Sequence, residues 1–133
     1  MNKVVSTQNI SGPTSTAYSQ AIMVPARADT LYVAGQVAIA KDLSVPRDFV
    51  EQCELVWFNI KEILAAAGMS LDDIVQITCY ITNSQYRDRF REVRARVLKN
   101  AKPTSTLIVV PALGQPEWLV EITAVAARQS SGN

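Results

Sequence analysis

Histidine is absent from this 133-residue chain, and no other gap in its composition removes as much chemistry. Without it there is no Ser-His or Cys-His nucleophile pair and no imidazole metal ligand. Any catalysis has to run on carboxylates, hydroxyls, basic side chains, backbone groups or water. Cysteine is scarce as well: Cys53 and Cys79 are too few and too scattered for a disulfide framework or a zinc site. No metal site is therefore expected. Charge of neither sign is in excess, with 13 basic against 12 acidic residues and a formal net charge of +1. There is no long basic block, so nucleic acid is not an expected partner. No apolar run approaches the roughly 20 uncharged residues that span a bilayer. The start, Met1-Asn2-Lys3-Val4-Val5-Ser6, lacks the apolar segment of a signal peptide. These absences lead to the expectation of a cytoplasmic protein with no membrane partner.

What is present fits one hydrophobic core. Apolar residues make up 48% and charged residues 19% of the chain, as in ordinary globular domains, and the length suits a single domain over residues 1–133. The clearest helix covers 48–67, where Phe49, Cys53, Val56, Trp57, Ile60, Ile63, Leu64 and Ala67 recur at three- and four-residue steps. Pro46 suits its beginning and Gly68 its end in a left-handed conformation. Ser70-Leu71-Asp72-Asp73 reads as a capped turn. Residues 74–82 alternate as a strand, with Cys79 on its apolar side. A second helix is expected over 85–100, with Tyr86, Phe90, Val93 and Val97 inward. Its five arginines, Arg87, Arg89, Arg91, Arg94 and Arg96, are expected mostly outward, as a solvated face or an anion-binding surface. Strands also fit 30–37, 105–110 and 118–127, with a weaker one over 18–24. The order predicts an α+β fold, a sheet carrying two helices on one face. Both faces of the later strands are largely apolar, so the uncovered face predicts contact with another subunit.

The last of these strands, Trp118-Leu119-Val120-Glu121-Ile122-Thr123-Ala124-Val125-Ala126-Ala127, carries one carboxylate among apolar neighbours. Stripping a carboxylate of water costs several kcal/mol unless a cation or donors replace the water. Glu121 is thus either paired with a partner from elsewhere or held for chemistry.

Four stretches then stand together: Thr16-Ala17-Tyr18-Ser19-Gln20-Ala21, Leu31-Tyr32-Val33-Ala34-Gly35-Gln36, the helix end Ala65-Ala66-Ala67-Gly68-Met69-Ser70-Leu71-Asp72-Asp73-Ile74-Val75, and Leu119-Val120-Glu121-Ile122. In this order and spacing the chain resembles the RidA (YjgF) family from about Ser6 to Arg128. The resemblance implies a chorismate-mutase-like mixed sheet, assembled as a homotrimer with small-molecule clefts between subunits. It also implies hydrolysis of reactive enamines and imines to keto acids and ammonia, with no metal or organic cofactor. Carried over by position, Glu121 matches a glutamate that positions or activates water, and Tyr18 a tyrosine near the N-terminal strand. Gly35 matches a cleft-lining turn.

One residue does not carry over. The family pattern places a substrate-carboxylate arginine after a Pro-Ala pair, whereas this chain reads Lys102-Pro103-Thr104-Ser105-Thr106-Leu107. Ser105 stands at the arginine's position, and Phe90 stands nearest to an asparagine of the second helix. A serine offers one neutral donor where arginine offers a charged fork, a loss of about an order of magnitude or more in carboxylate affinity. Ser105 and Phe90 are therefore the expected substrate-binding substitutions. Lys102, or an arginine of a neighbouring chain, is left as the replacement cation. Three functions follow from the sequence: a deaminase of altered specificity, a non-catalytic trimer that binds a small ligand, and, ranked last for want of histidine and basic charge, a ribonuclease or translation inhibitor.

Overall fold

The computed structural model describes residues 1–11 and 17–130; Thr16, which opens one of the four stretches above, lies outside the described residues. A short antiparallel ribbon joins β1 (Lys3–Val5) to β2 (Ala21–Met23). The main sheet comprises β3 (Ala28–Val37), β4 (Ile74–Ile81), β5 (Thr104–Val109) and β6 (Val120–Gln129), in the order β3-β6-β4-β5. β4 and β5 are parallel and the other neighbours antiparallel. Helix α1 (Phe49–Ala66) connects β3 to β4, and α2 (Arg87–Leu98) connects β4 to β5.

Local chemistry sets the element ends. The Asp48 carboxylate accepts the Glu51 N–H at 3.0 Å and caps α1. Gly68, at φ 71°, closes the helix in the left-handed region that glycine enters without strain. The Asp73 side chain accepts the Ser70 N–H at 2.9 Å, fixing the turn into β4. Asn83 caps a 3₁₀ turn, Ser84–Tyr86, so α2 begins two residues later than its apolar pattern predicts. Tyr86 in that turn stacks on Phe49, with ring centroids 4.1 Å apart, and so ties the starts of the two helices together.

The core lies between the helices and one sheet face. Val56, Trp57, Ile60 and Leu64 of α1 and Phe90 and Val93 of α2 pack on Ile77, Cys79 and Ile81 of β4 and on Val120, Ile122, Ala124 and Ala126 of β6. The last strand alternates: these β6 residues are buried, while Glu121, Thr123 and Val125 are half-buried on the opposite face. Among the described residues no helix covers that second face, where Tyr32 is 78% exposed.

Three features depart from or add to the sequence pattern. The ribbon strand β1 has no counterpart in the sequence reading, because its three exposed residues show no alternation. Trp118 precedes β6 rather than opening it: its N–H closes a turn on the Gln115 carbonyl at 3.1 Å, and its ring lies over Gly114. Arg94 is not on the outer face of α2 with Arg87, Arg89, Arg91 and Arg96; it is 7% exposed. One helical turn after Phe90, it falls on the buried stripe.

Candidate functional site

Glu121 sits in the middle of the uncovered sheet face, paired across the strands with Val37 and with Tyr80. The β3–β6 register jumps from Val33 opposite Ala124 to Gln36 opposite Ile122. Ala34 and Gly35 therefore form a bulge against Thr123 alone. The bulge turns the Gly35 α-carbon toward the Glu121 side chain, and a Cβ built on Gly35 would overlap the carboxylate, with Cδ 3.0 Å away. Only the missing side chain lets the carboxylate lie there. Among the described residues no side chain donates a hydrogen bond or an ion pair to Glu121. Its half-buried carboxylate is thus positioned by packing and left with its acceptor capacity open.

The other nominated residues gather elsewhere. Ser105 lies on edge strand β5, paired with Ile77, whose side chain is in the core. It is therefore on the helix side of the sheet, opposite to Glu121. Its Oγ accepts a hydrogen bond from Arg94 Nη1 at 3.2 Å. Phe90 is fully buried, and its ring reaches this group through Arg94, whose guanidinium carbon stands 5.9 Å from the ring centroid. Tyr18 is half-buried beside the same group. Its segment is stitched to the residues before β5: Ser19 Oγ donates to the Lys102 carbonyl at 2.5 Å, and the Ser19 N–H to that of Pro103 at 3.2 Å. Burial pushes the Arg94 guanidinium below its ordinary value, with the Cys79 thiol and Tyr18 acting in the opposite sense. It remains a cation at neutral pH.

Within one chain, then, the structure brings Tyr18, Phe90 and Ser105 together around Arg94, and Gly35 together with Glu121, but it does not unite the two groups. Arg94 is the member that the sequence reading missed. Its signal was its spacing of four from Phe90, hidden by the four exposed arginines around it. Lys102, the replacement cation that the sequence offered, is exposed near Arg94 and lines a cleft of about 260 Å³ with it. Tyr18 and Lys102 also border a larger cavity of about 640 Å³ with Ser6, Ile22 and Asn100. A further cleft, about 750 Å³ between α1 and α2, contains none of these site residues.

Comparison with known proteins decides what kind of chain holds this arrangement. Residues 9–128 match the family model described as Endoribonuclease L-PSP. A RutC family protein of Pyrococcus horikoshii is 34% identical over 97% of this chain and 100% of its own length. A crystal structure of a Rid-family protein of unknown function from Yersinia pestis superposes with a TM-score of 0.85 at 27% identity, covering 96% of this chain and 98% of the other. The chain belongs to the RidA family. A further relative, 29% identical over 98% of this chain and 100% of its own, is the putative reactive intermediate deaminase TdcF of Escherichia coli. In this chain the cation at the β5 edge arrives from α2, as Arg94, which donates to Ser105 Oγ.

Proposed function

We propose that this RidA chain is a hydrolytic deaminase of small enamines or imines, working as a homotrimer with its sites between subunits. The observation that carries the reading is the Glu121 carboxylate, laid on the bare α-carbon of Gly35 with no protein donor among the described residues satisfying it. A carboxylate so held accepts a hydrogen bond from water and takes its proton as the oxygen attacks a C=N carbon. The proton passes to nitrogen, the carbinolamine collapses, and ammonia leaves with a ketone or keto acid as the other product. An enamine enters the same path once protonated at its β-carbon to the imine. Tyr18, Gly35, Ser105 and Phe90 are assigned to the substrate side of the cleft, Phe90 as the packing beneath it. The placement of Glu121 and Ser105 on opposite sides of one sheet supports a cleft completed by a second subunit. The name of the TdcF relative, a putative reactive intermediate deaminase, points to the same chemistry.

The family model's description as an endoribonuclease favours a second reading. The chain has no histidine for acid-base cleavage of RNA and a net charge of only +1, so deamination is preferred. The test is ammonia release from a panel of enzymatically generated imines. The wild-type protein is expected to accelerate release, and Glu121→Gln to lower kcat by about 10²–10⁴-fold with the fold intact. Equal rates with and without protein across the panel overturn the proposal.

A further inference from the structure

Three observations about Arg94 stand together. It is 7% exposed. Among the described residues it meets no carboxylate: the ion pairs are Arg87–Asp88 and Arg96–Glu54. Its one hydrogen bond there, to Ser105 Oγ, is to a neutral group and occupies one of five N–H donors. A guanidinium taken out of water without a counter-charge is costly, and it is kept in proteins where an anion completes it.

The surroundings indicate what size and sign of ligand would do so. The cleft of about 260 Å³ that Arg94 lines with Lys99, Asn100 and Lys102 contains, among the described residues, two further cations and no acidic residue. This volume is below the usual range for larger ligands and suits a molecule of a few heavy atoms. Helix α2 ends here, and its carbonyls bring negative partial charge. Two of them are occupied within the chain, Ala95 by the Lys99 N–H at 3.0 Å and Leu98 by the Ala101 N–H at 2.8 Å. The side-chain cations therefore set the sign of the cleft. A planar fork favours a planar bidentate partner over a lone point charge.

We propose that Arg94 grips a small carboxylate at the β5 edge, with Ser105 orienting its guanidinium, so that α2 supplies the cation that β5 itself lacks. The existence of an anion site rests on this geometry alone, and only its role in substrate binding rests on the deaminase reading. Ser105 is then a positioning residue: a small side chain leaves room for a guanidinium reaching in from the helix, which a long one at the same place would fill.

The test is calorimetric titration of the intact protein with pyruvate, as a small 2-oxo carboxylate, and with inorganic phosphate for comparison. Saturable pyruvate binding is expected, weakened about tenfold or more by Arg94→Met and less by Arg94→Lys, which keeps charge but not the fork. The unliganded melting temperature of Arg94→Met should be equal to or above wild type, since an apolar chain of similar length replaces an uncompensated charge. A lowered melting temperature with unchanged pyruvate affinity would make Arg94 a structural peg and overturn the proposal. Absence of pyruvate binding by the wild type, or tighter binding of phosphate, overturns it equally. If Arg94→Met does not fold, Arg94→Lys decides, with unchanged affinity counting against the fork. Glu121→Gln should still bind pyruvate. Arg94-dependent binding without any imine turnover would leave this site standing and remove the deaminase reading.

Discussion

Glu121 owes its position to an atom that is not there. The Gly35 α-carbon carries no Cβ, and the carboxylate carbon lies 3.0 Å from where one would be. Gly35→Ala should therefore push the carboxylate aside. Overpacking of this kind costs about 1–3 kcal/mol, and a displacement of about 1 Å at a water-positioning group lowers kcat about a hundredfold. Parallel melting curves and imine turnover check both effects, and an alanine variant with wild-type turnover would separate Glu121 from the chemistry. The two thiols behave differently. Burial pushes Cys53 and Cys79 from an ordinary 9.0 up to about 12. The folded chain thus keeps protons that the unfolded chain releases between those values. The corresponding stability is whole below pH 9 and is lost as pH rises toward 12. Alkylation at pH 8 should accordingly stay near zero until denaturant is added. At this scale the sequence made Glu121 legible, because a lone carboxylate among apolar residues needs an explanation. It hid Arg94, because a helix with five arginines reads as a solvated face when side-chain depth is unknown.

Elements position the site through a few polar ties. Gln52 of α1 is fully buried, a position its amide would not suggest. Its Nε2 donates to the carbonyls of Pro46 and Glu117, each at 2.8 Å, and its Oε1 accepts the Leu119 N–H at 2.9 Å. One side chain thereby fixes the loop before α1 to the segment that leads into β6 and Glu121. Gln52→Leu keeps the volume but strands three backbone groups, which predicts a loss of about 2–4 kcal/mol in chemical denaturation. A loss below 1 kcal/mol would mean that water or relaxation replaces these bonds. The helices and the four long strands were readable from periodicity, since each buries one face of a regular repeat. The bulge at Ala34 and Gly35, the three-residue β1 and the 3₁₀ turn before α2 were not. A bulge is a register between two distant strands, and the short elements are held by caps and stacking rather than by a pattern of their own.

At the scale of the molecule, the two groups of site residues lie on opposite sides of one sheet, and among the described residues one sheet face is left without helices. A homotrimer in which the uncovered face of one chain meets the β5 edge of the next would bring Glu121 and Gly35 beside Arg94, Ser105 and Tyr18. The apolar character of both strand faces leads to the expectation of an association surface. Which residues meet across it depends on a second chain, which no single-chain pattern encodes. The most direct measurement of this claim mixes two impaired proteins. Glu121→Gln and Arg94→Met subunits, coexpressed in equal amounts, assort so that each cleft has about a one-in-four chance of receiving Glu121 from one chain and Arg94 from its neighbour. The account predicts imine turnover at low substrate of about one quarter of wild type, well above either parent variant. Hybrids no more active than the average of the two parents would contradict it.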